Sequence, residues 1–512
     1  MTTALPHLPI SQQQLESYLW GAAIRLRGVI DAGDYKQFIF PLLFFKRLCD
    51  VYDEEYQRAL KDSEGDVQYA AFDEHHRFRI PQGAHWRDVR AVATNVGQAI
   101  QSAMREIEKA NERLFGIFGD AQWTNKDRLS DATLRDLIEH FSTYTLSIAN
   151  VPEDELGQAY EFLIKKFADD SGHTAAEFYS NRTVVHLMTL MLEPQPGESI
   201  YDPTCGSGGM LLSAAAETQR RVPGQAWRTL KLYGQERNLM TSAIARMNLF
   251  LHGIEDFRVE RGDTLAEPKI LEGDRLKQFD VVLANPPYSI KQWNRKAWEK
   301  DAYGRNLYGT PPQGRADYAF FQHIVVSMKP DTGRCAILFP HGVLFRDEEQ
   351  HMRAKLLDHD IIECVLGLGP NLFYNSPMEA CVVICRMRKP AERRGKVLFI
   401  NAVNAVTRER AQSFLEERHI AHIVAAYQAF ADEDGFARVA TLDDIQANQA
   451  NLNIALYVRP VSNSNGAHLA EKPLAAVIAE WEQSSQDLRI TMDELFATLE
   501  QAGLAEPKRG TR

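Results

Sequence analysis

The chain has 512 residues, 45% hydrophobic and 25% charged, which is room for about three ordinary domains or two large ones in a globular protein. A net charge of -11 excludes a surface that is basic overall, so contact with nucleic acid would fall to local patches or to a partner. No run approaches the roughly 18 uncharged apolar residues of a membrane span, "MTTALPHLPISQQQ" lacks the basic-then-apolar order of a secretory signal, and the scattered Cys49, Cys205, Cys335, Cys364, Cys381 and Cys385 form no paired CxxC set; a reducing cytoplasm without structural zinc is the expectation.

Residues 11 to about 165 read mostly as helix. Ser11 is placed to cap a first helix with Leu15, Leu19, Ala22 and Ala23 on one face. "DAGD" ends it. "YKQFIFPLLFFKRLCDVYDEEYQRAL" starts a second, with Pro41 expected to kink it. "FRIPQGAHW" (78–86) is a loop, and "VGQAIQSAMREIEKANERLFGIF" is helical again. From about 197 short apolar runs take over: "ESIYDPT", "LKLYGQE", "FDVVLANPP", "RCAILFP", "IIECVLGL", "ACVVICRM" and "KVLFINA". Helix-like segments separate most of them, which predicts a mostly parallel sheet covered on both faces. Only "RKPAERRG" joins the last two, predicting an antiparallel hairpin at the sheet edge. After about 405 helix returns. The long polar-rich "KPLAAVIAEWEQSSQDLRITMDELFATLEQAGL" reads as a terminal helical hairpin or a partner-binding element, behind the linker "PVSNSNGAH". The expected domains are 1–165 helical, 166–405 α/β, and 406–512 mostly helical.

Four strand-end segments carry chemistry. In "ESIYDPTCGSGGMLL" a strand enters a turn with Gly206, Gly208 and Gly209 and then a helix, whose free N–H groups can face a ligand. The spacing is neither GxGxxG nor a P-loop. Asp202 precedes the turn, where a carboxylate can meet a cationic group; a tight packing turn is the plainer reading. Glu236 ends "LKLYGQE", where an acid can accept both hydroxyls of a ribose. Asp263 in "VERGDTL" can accept from an adenine amino group or cap a helix. The fourth is "NPPY", Asn285 to Tyr288, after an apolar run. A planar exocyclic amine is a poor nucleophile because its lone pair is delocalised into the ring. Two fixed acceptors, the Asn285 side-chain oxygen and the Pro286 carbonyl stiffened by the Pro286 and Pro287 rings, can hold its N–H bonds and favour a tetrahedral nitrogen. Tyr288 offers a flat face to an extruded base. The competing reading is a proline-rich turn with Tyr288 in the core.

In this order and spacing, "DPTCGSGG", "YGQE", "GD" and "NPPY" resemble the motifs of S-adenosylmethionine-dependent amino-methyltransferases. "AAEFYSNRTVVHLM" (175–188), upstream of the Gly turn, resembles the gamma order of DNA adenine methylases. "FRIPQGAHW", "YEFLIKKFA", "GRADYAFFQH", "GVLFRDEEQHMRAKLL", "NLFYNSPMEACVVICR" and "NLNIALYV" are similar to the modification (M) subunit of type I restriction–modification systems, and the likeness covers nearly the whole chain.

The resemblance implies a Rossmann-like methyltransferase domain between the helical regions. It further implies N6-adenine methylation of a flipped base in double-stranded DNA, with S-adenosylmethionine as cofactor. A separate specificity subunit, an endonuclease/translocase subunit and two copies of this chain per specificity subunit would complete the assembly. Glu177, Phe178, Tyr179, Ser180, Asn181 and Arg182, with Ser207, Gly208, Gly209 and Glu236, would line the cofactor; Asp263 would hold its adenine; Asn285, Pro286 and Tyr288 would grip the target base. One departure stands out: "FYSNR" replaces the family's common "FYTPR", which puts the contacts of Ser180 and Asn181 in doubt. "KQWNRKAWEKDAYGRNLYG" interleaves basic and aromatic residues and suits a flexible loop gripping phosphates, or an ordinary solvated loop. "RMRKPAERRGK" reads as a charged hairpin tip. "EHHR" (74–77), His173, His186 and His341 lack ligand-like spacing, so no metal is expected. The alternatives are a solitary gamma-type methylase, which would need its own recognition domain, and a catalytically silent scaffold.

Overall fold

The computed structural model describes residues 10–170, 180–372, 379–408 and 413–459, with parts of 478–495. Two compact units divide the chain, Met1–Arg459 and Pro460–Arg512. Among the described residues no helix is long and apolar enough to cross a membrane.

The first unit begins with a bundle of α1 (Gln12–Leu26), α2 (Tyr35–Asp62), α3 (Val96–Ala110), α4 (Asp131–Phe141) and α5 (Glu153–Asp170). Ser11 caps α1: its hydroxyl accepts from the Gln14 N–H, and the Gln14 side chain accepts from the Ser11 N–H. α2 runs through Pro41 without a break. The bundle core, with Phe38, Phe44, Phe45, Phe141 and Tyr160, continues into Met240, Ala243, Ile244, Met247 and Leu251. Those five residues belong to a helix whose Ala245 and Leu249 pack into the separate core of the sheet, so one helix joins the bundle to the sheet.

The sheet follows α6 (Arg182–Leu192). In chain order its elements are β1 (Ser199–Asp202), α7 (Gly209–Arg221), β2 (Lys231–Glu236), α8 (Leu239–Leu251), β3 (Phe257–Arg261), β4 (Val281–Ala284), α9 (Asp317–Val326), β5 (Arg334–Pro340), α10 (Gln350–Asp358), β6 (Ile362–Leu368), β7 (Ala380–Arg386), β8 (Lys396–Ala402), α11 (Glu417–Ala429) and β9 (Ala437–Thr441). The nine strands lie in the order β9-β8-β6-β7-β5-β4-β1-β2-β3. Strands β3, β2, β1, β4 and β5 are mutually parallel. Most of their residues at the centre are buried on both faces, which fits runs such as "VVLA" and "RCAILFP" without polar alternation.

One expectation fails at the far edge. The predicted hairpin of β7 with β8 is absent. β7 instead inserts antiparallel between β5 and β6, and β8 pairs parallel with β6. A short connection limits reach, not partner: nine residues easily pass beneath one strand, a span of about 10 Å. The region after 405 carries helix, as expected, together with one further strand. β9 closes the sheet against β8, and Leu452, Ile454 and Val458 of "NLNIALYV" are buried in the core on one face of the sheet. The fold around the sheet therefore runs to 459, beyond the expected limit of 405. In the second unit the described residues 481–486 and 488–492 are helical and leave Trp481, Leu488, Ile490 and Met492 exposed.

Because one helix lines both the bundle core and the sheet core, Met247→Ala should cost about 2–5 kcal/mol and lower the thermal midpoint of both regions together. Calorimetry with near-ultraviolet circular dichroism tests this; two transitions of which only one moves would show independent cores.

Candidate ligand and catalytic site

Parallel pairing brings the four chemistry-bearing segments to one rim. In register, Tyr201 of β1 faces Val282 of β4, Asp202 faces Gly234 of β2, and Glu236 faces Arg261 of β3. Asn285, Asp202, Glu236 and Asp263 thus follow the carboxyl ends of adjacent strands β4, β1, β2 and β3. Chain order reverses between β1 and β4, and that reversal is where open α/β sheets form their ligand crevice.

The Gly turn is fixed by main-chain bonds. The Cys205 N–H donates to the Gln235 carbonyl at 3.0 Å, and the Gly208 N–H to the Cys205 carbonyl at 2.8 Å. Gly208 has φ +83°, a left-handed conformation that favours glycine. At Gly209 a Cβ would overlap the Arg182 guanidinium, so glycine lets Arg182 lie against the N-terminus of α7. Burial pushes the Cys205 thiol up, which suits a small filler and not a nucleophile.

The acidic residues differ in their state. The Glu236 carboxylate accepts from the Gly206 N–H at 3.2 Å and the Asn238 N–H at 2.7 Å, and burial raises its pKa. Asp202 is buried and accepts from the Thr204 N–H at 2.9 Å; burial and then the nearby Glu236 push its carboxyl up to about 8. Asp263 acts as a cap: Oδ1 accepts from the Leu265 and Ala266 N–H groups at 3.0 and 3.1 Å, and Oδ2 stands 3.7 Å from Arg237.

Asn285 Nδ2 donates to Ser180 Oγ at 3.0 Å, which fixes the amide plane and directs its oxygen away from Ser180. Pro286 is buried, Pro287 exposed and Tyr288 half-buried. Burial raises the Tyr288 hydroxyl far above its usual range, with Cys381 and Asp317 nearby, so the tip of this ring is turned into the protein. Asn181 is taken up by the fold. Its Oδ1 accepts from the Thr183 N–H, capping α6, and its Nδ2 donates to the Leu372 and Ser413 carbonyls at 2.9 and 3.0 Å. Both polar atoms of the Asn181 side chain are thus engaged within the protein. A proline there would leave both carbonyls without that donor. Glu177, Phe178 and Tyr179 lie outside the described residues.

Several contributors carry no local signal in the sequence. Glu161 of α5 pairs with Arg182 at 2.5 Å, and Asn248 of α8 donates to the Ser207 carbonyl at 3.0 Å. Thr264 Oγ1 donates to the Pro203 carbonyl at 2.5 Å, and the buried Gln235 clamps the chain at Glu267 and Lys269.

The segment after Tyr288 is built, not loose. Arg305 is buried, pairs with Asp301, lies 4.6 Å from the Trp298 ring centre and donates to the Thr264 and Leu265 carbonyls. Its neighbour His323, held neutral by burial, meets the Tyr201 hydroxyl at 3.1 Å. Only Lys291, Lys296 and Lys300 remain as exposed cations of "KQWNRKAWEK". At the opposite end of the sheet, "RMRKPAERRGK" turns much of its charge inward: Arg386 and Arg393 pair with buried Glu363, and Lys389 with Asp360.

A family model described as N-6 DNA methylase matches residues 151–465, and one described as HsdM N-terminal domain matches residues 15–141. The chain is 33% identical over 458 residues to the type I restriction enzyme MjaVIII methylase subunit of Methanocaldococcus jannaschii, spanning 86% of this chain and 77% of that one. It is 29% identical over 446 residues to the HindI methylase subunit of Haemophilus influenzae, spanning 80% and 97%. The crystal structure of a type I restriction–modification system methyltransferase subunit from Streptococcus thermophilus superposes with a TM-score of 0.75 at 30% identity, covering 88% of this chain and 100% of that one.

Asp202 makes the fold pH-sensitive. Its pKa is higher folded than unfolded, so the stability linked to its proton is full below the ordinary carboxylate range and is lost as pH rises through about 8. Asp202→Asn keeps an acceptor for the Thr204 N–H and removes the titration. Between about pH 5 and pH 9 the thermal midpoint of the parent chain should fall more than that of the variant; parallel curves would contradict the assignment.

Proposed function

Since this chain belongs to the N-6 DNA methylase family, as a methylase subunit of the type I restriction–modification kind, we propose that the rim of β1 to β4 is its catalytic site, with Asn285, Pro286, Pro287 and Tyr288 as the base-gripping segment. The protein is an S-adenosylmethionine-dependent methyltransferase that modifies adenine N6 in DNA as part of a multisubunit complex. The observation that carries the site reading is the placement of Asn285, Asp202, Glu236 and Asp263 at four adjacent strand ends, with the Asn285 amide oriented by Ser180.

The cleft fits this cofactor. Asp202 and Glu236 form an acidic wall for a cationic ligand with a ribose; Glu236 would accept from the ribose hydroxyls and Asp263 Oδ2 from the adenine amine. Gly206, Ser207, Gly208 and Gly209 supply close backbone, Arg182 borders the turn, and Ser180 holds the Asn285 amide. Glu177, Phe178 and Tyr179 are carried by the motif alone. Bound S-adenosylmethionine supplies a methyl group on a positively charged sulfur. Asn285 Oδ1 and the Pro286 carbonyl would accept the two N–H bonds of the target amine and hold its nitrogen in line, so alignment supplies much of the rate. Neither acceptor is basic enough to keep the proton released after transfer, which passes to water. Tyr288 would stack on the flipped base with the exposed part of its ring.

Double-stranded DNA would meet Lys291, Lys296 and Lys300 beside this segment. The net charge of -11 supports leaving sequence recognition to a specificity subunit. The exposed apolar side chains between 478 and 495 support partner binding by the C-terminal unit. Two copies of this chain per specificity subunit, with an endonuclease/translocase subunit, complete the proposed assembly.

Asn285→Ala in the reconstituted complex should keep cofactor affinity within about threefold and reduce methyl transfer by about 100- to 1,000-fold, read by labelled methyl incorporation and calorimetric binding. Unchanged transfer would remove the amine-gripping role. The isolated chain should methylate unmodified DNA only after the specificity subunit is added; site-specific methylation by the chain alone would favour a solitary enzyme.

A further inference from the structure

Two sequence motifs remain without a role, "GRADYAFFQH" and "GVLFRDEEQHMRAKLL". They meet behind the segment that follows Tyr288. Asp317, the first residue of α9, is 1% exposed. Its Oδ1 accepts from the Ser289 N–H at 2.8 Å, and its Oδ2 from Arg346 Nη1 at 2.8 Å. Ser289 has φ +51°, a left-handed conformation that disfavours a residue with a Cβ. That turn comes directly after Tyr288, so something outside it must hold it in place.

Arg346 is itself constrained from two sides. Buried Glu349 stands 3.6 Å from its Nη1, with neither carboxylate oxygen hydrogen-bonded. Arg353, also buried, donates to the Arg346 carbonyl at 2.8 Å and to the Ala450 carbonyl at 3.0 Å. The Tyr318 hydroxyl donates to the Val343 carbonyl at 2.9 Å, tying α9 to the same segment. A buried charged group is tolerated only with partners; Asp317 and Arg346 have each other, while burial pushes the Glu349 carboxyl up to about 7.

We infer that Asp317, locked by Arg346, is a positioning residue of methyl transfer: it fixes the strained turn at Ser289 and so the geometry of Asn285, Pro286 and Tyr288. This rests on the site reading above and deepens it. Asp317 touches neither reactant. It acts through one backbone N–H, and Arg346 keeps its carboxylate from turning away. The two motifs thus form one device, with the carboxylate from the first and its cationic lock from the second. Misplacement of reacting groups by about 1 Å costs about 100-fold in rate, so loss of this anchor appears in kcat and not in binding.

The test uses the complex reconstituted with its specificity subunit and compares the parent with Asp317→Asn, Arg346→Lys, Asn285→Ala and the double variant Asp317→Asn with Ser289→Gly. Asp317→Asn offers one acceptor where the Ser289 N–H and Arg346 both donate, and should lower the single-turnover methylation rate by about 10- to 100-fold, with the cofactor Kd and the KM for DNA unchanged within about threefold. 2-Aminopurine at the target position should still brighten on binding. Arg346→Lys, which keeps the charge but loses the planar fork, should give a smaller loss of the same kind. Ser289→Gly should restore part of the rate lost in Asp317→Asn, because glycine adopts φ +51° without strain; a merely structural role would show no such rescue. If Asn285→Ala is inactive while Asp317→Asn and Arg346→Lys turn over at the parent rate, the positioning role falls and the site reading stands. If Asn285→Ala turns over at the parent rate, the site reading falls and takes this inference with it. Rate loss that tracks a fall in thermal midpoint, without rescue by Ser289→Gly, also overturns it.

Discussion

Five neighbouring strands run the same way, and the rest of the molecule depends on that constraint. Parallel pairing places every carboxyl end on one rim, and the helices that return the chain cover both faces of the sheet. Residues as far apart in sequence as Asp202 and Asn285 therefore become neighbours without a dedicated contact between them. The antiparallel β7 then fixes how far this pattern extends. By inserting between β5 and β6 it ends the run of like-directed strands and turns its last residue, Arg386, to the opposite rim, where charge is neutralised internally. One rim is left for chemistry and the other for structure.

The chemical rim is acidic and incompletely compensated. Asp202 is buried beside Glu236, and burial raises the pKa of both carboxyl groups. Two buried carboxyl groups side by side favour a ligand that brings positive charge. A ligand carrying an ammonium and a sulfonium has that property, whereas an anionic dinucleotide does not. The same reasoning separates this Gly turn from phosphate-binding turns, which place cations and free N–H groups where this one places carboxylates.

Sequence periodicity carried the class of the fold because buried parallel strands and amphipathic helices write themselves locally. "VVLA" and "RCAILFP" are apolar on both faces for that reason. Strand order does not write itself locally. The run "ACVVICRM" looks the same whether it pairs with its successor or slips between two earlier strands, and "ARVAT" (437–441) is too short and too polar to separate from a loop. The site divides in the same way. "NPPY" and the Gly turn need their own residues in their own order, so they are legible. Asp263 is ambiguous because a cap and a ligand acceptor ask for the same carboxylate, and the geometry gives it a capping duty. Arg305 misleads: basic–aromatic interleaving suits a phosphate grip equally well as a guanidinium stacked on Trp298 and buried, and burial is what occurs. Asn181 is explained only by the distant Leu372 and Ser413 carbonyls.

The helical bundle is more than a neighbour of the catalytic sheet. Glu161, from its last helix, pairs with Arg182, and Arg182 occupies the space that the missing side chain of Gly209 leaves at the N-terminus of α7. Asn248 of α8, the helix shared with the bundle core, holds the Ser207 carbonyl of the same turn. Two side chains from the bundle interface thus hold the Gly turn from outside, just as Asp317 and Arg346 hold the turn after Tyr288. In both places a turn at a strand end is held from behind by charged or amide side chains of other elements. The bundle and the Gly turn are therefore coupled directly, through Glu161 by way of Arg182 and through Asn248 by way of the Ser207 carbonyl.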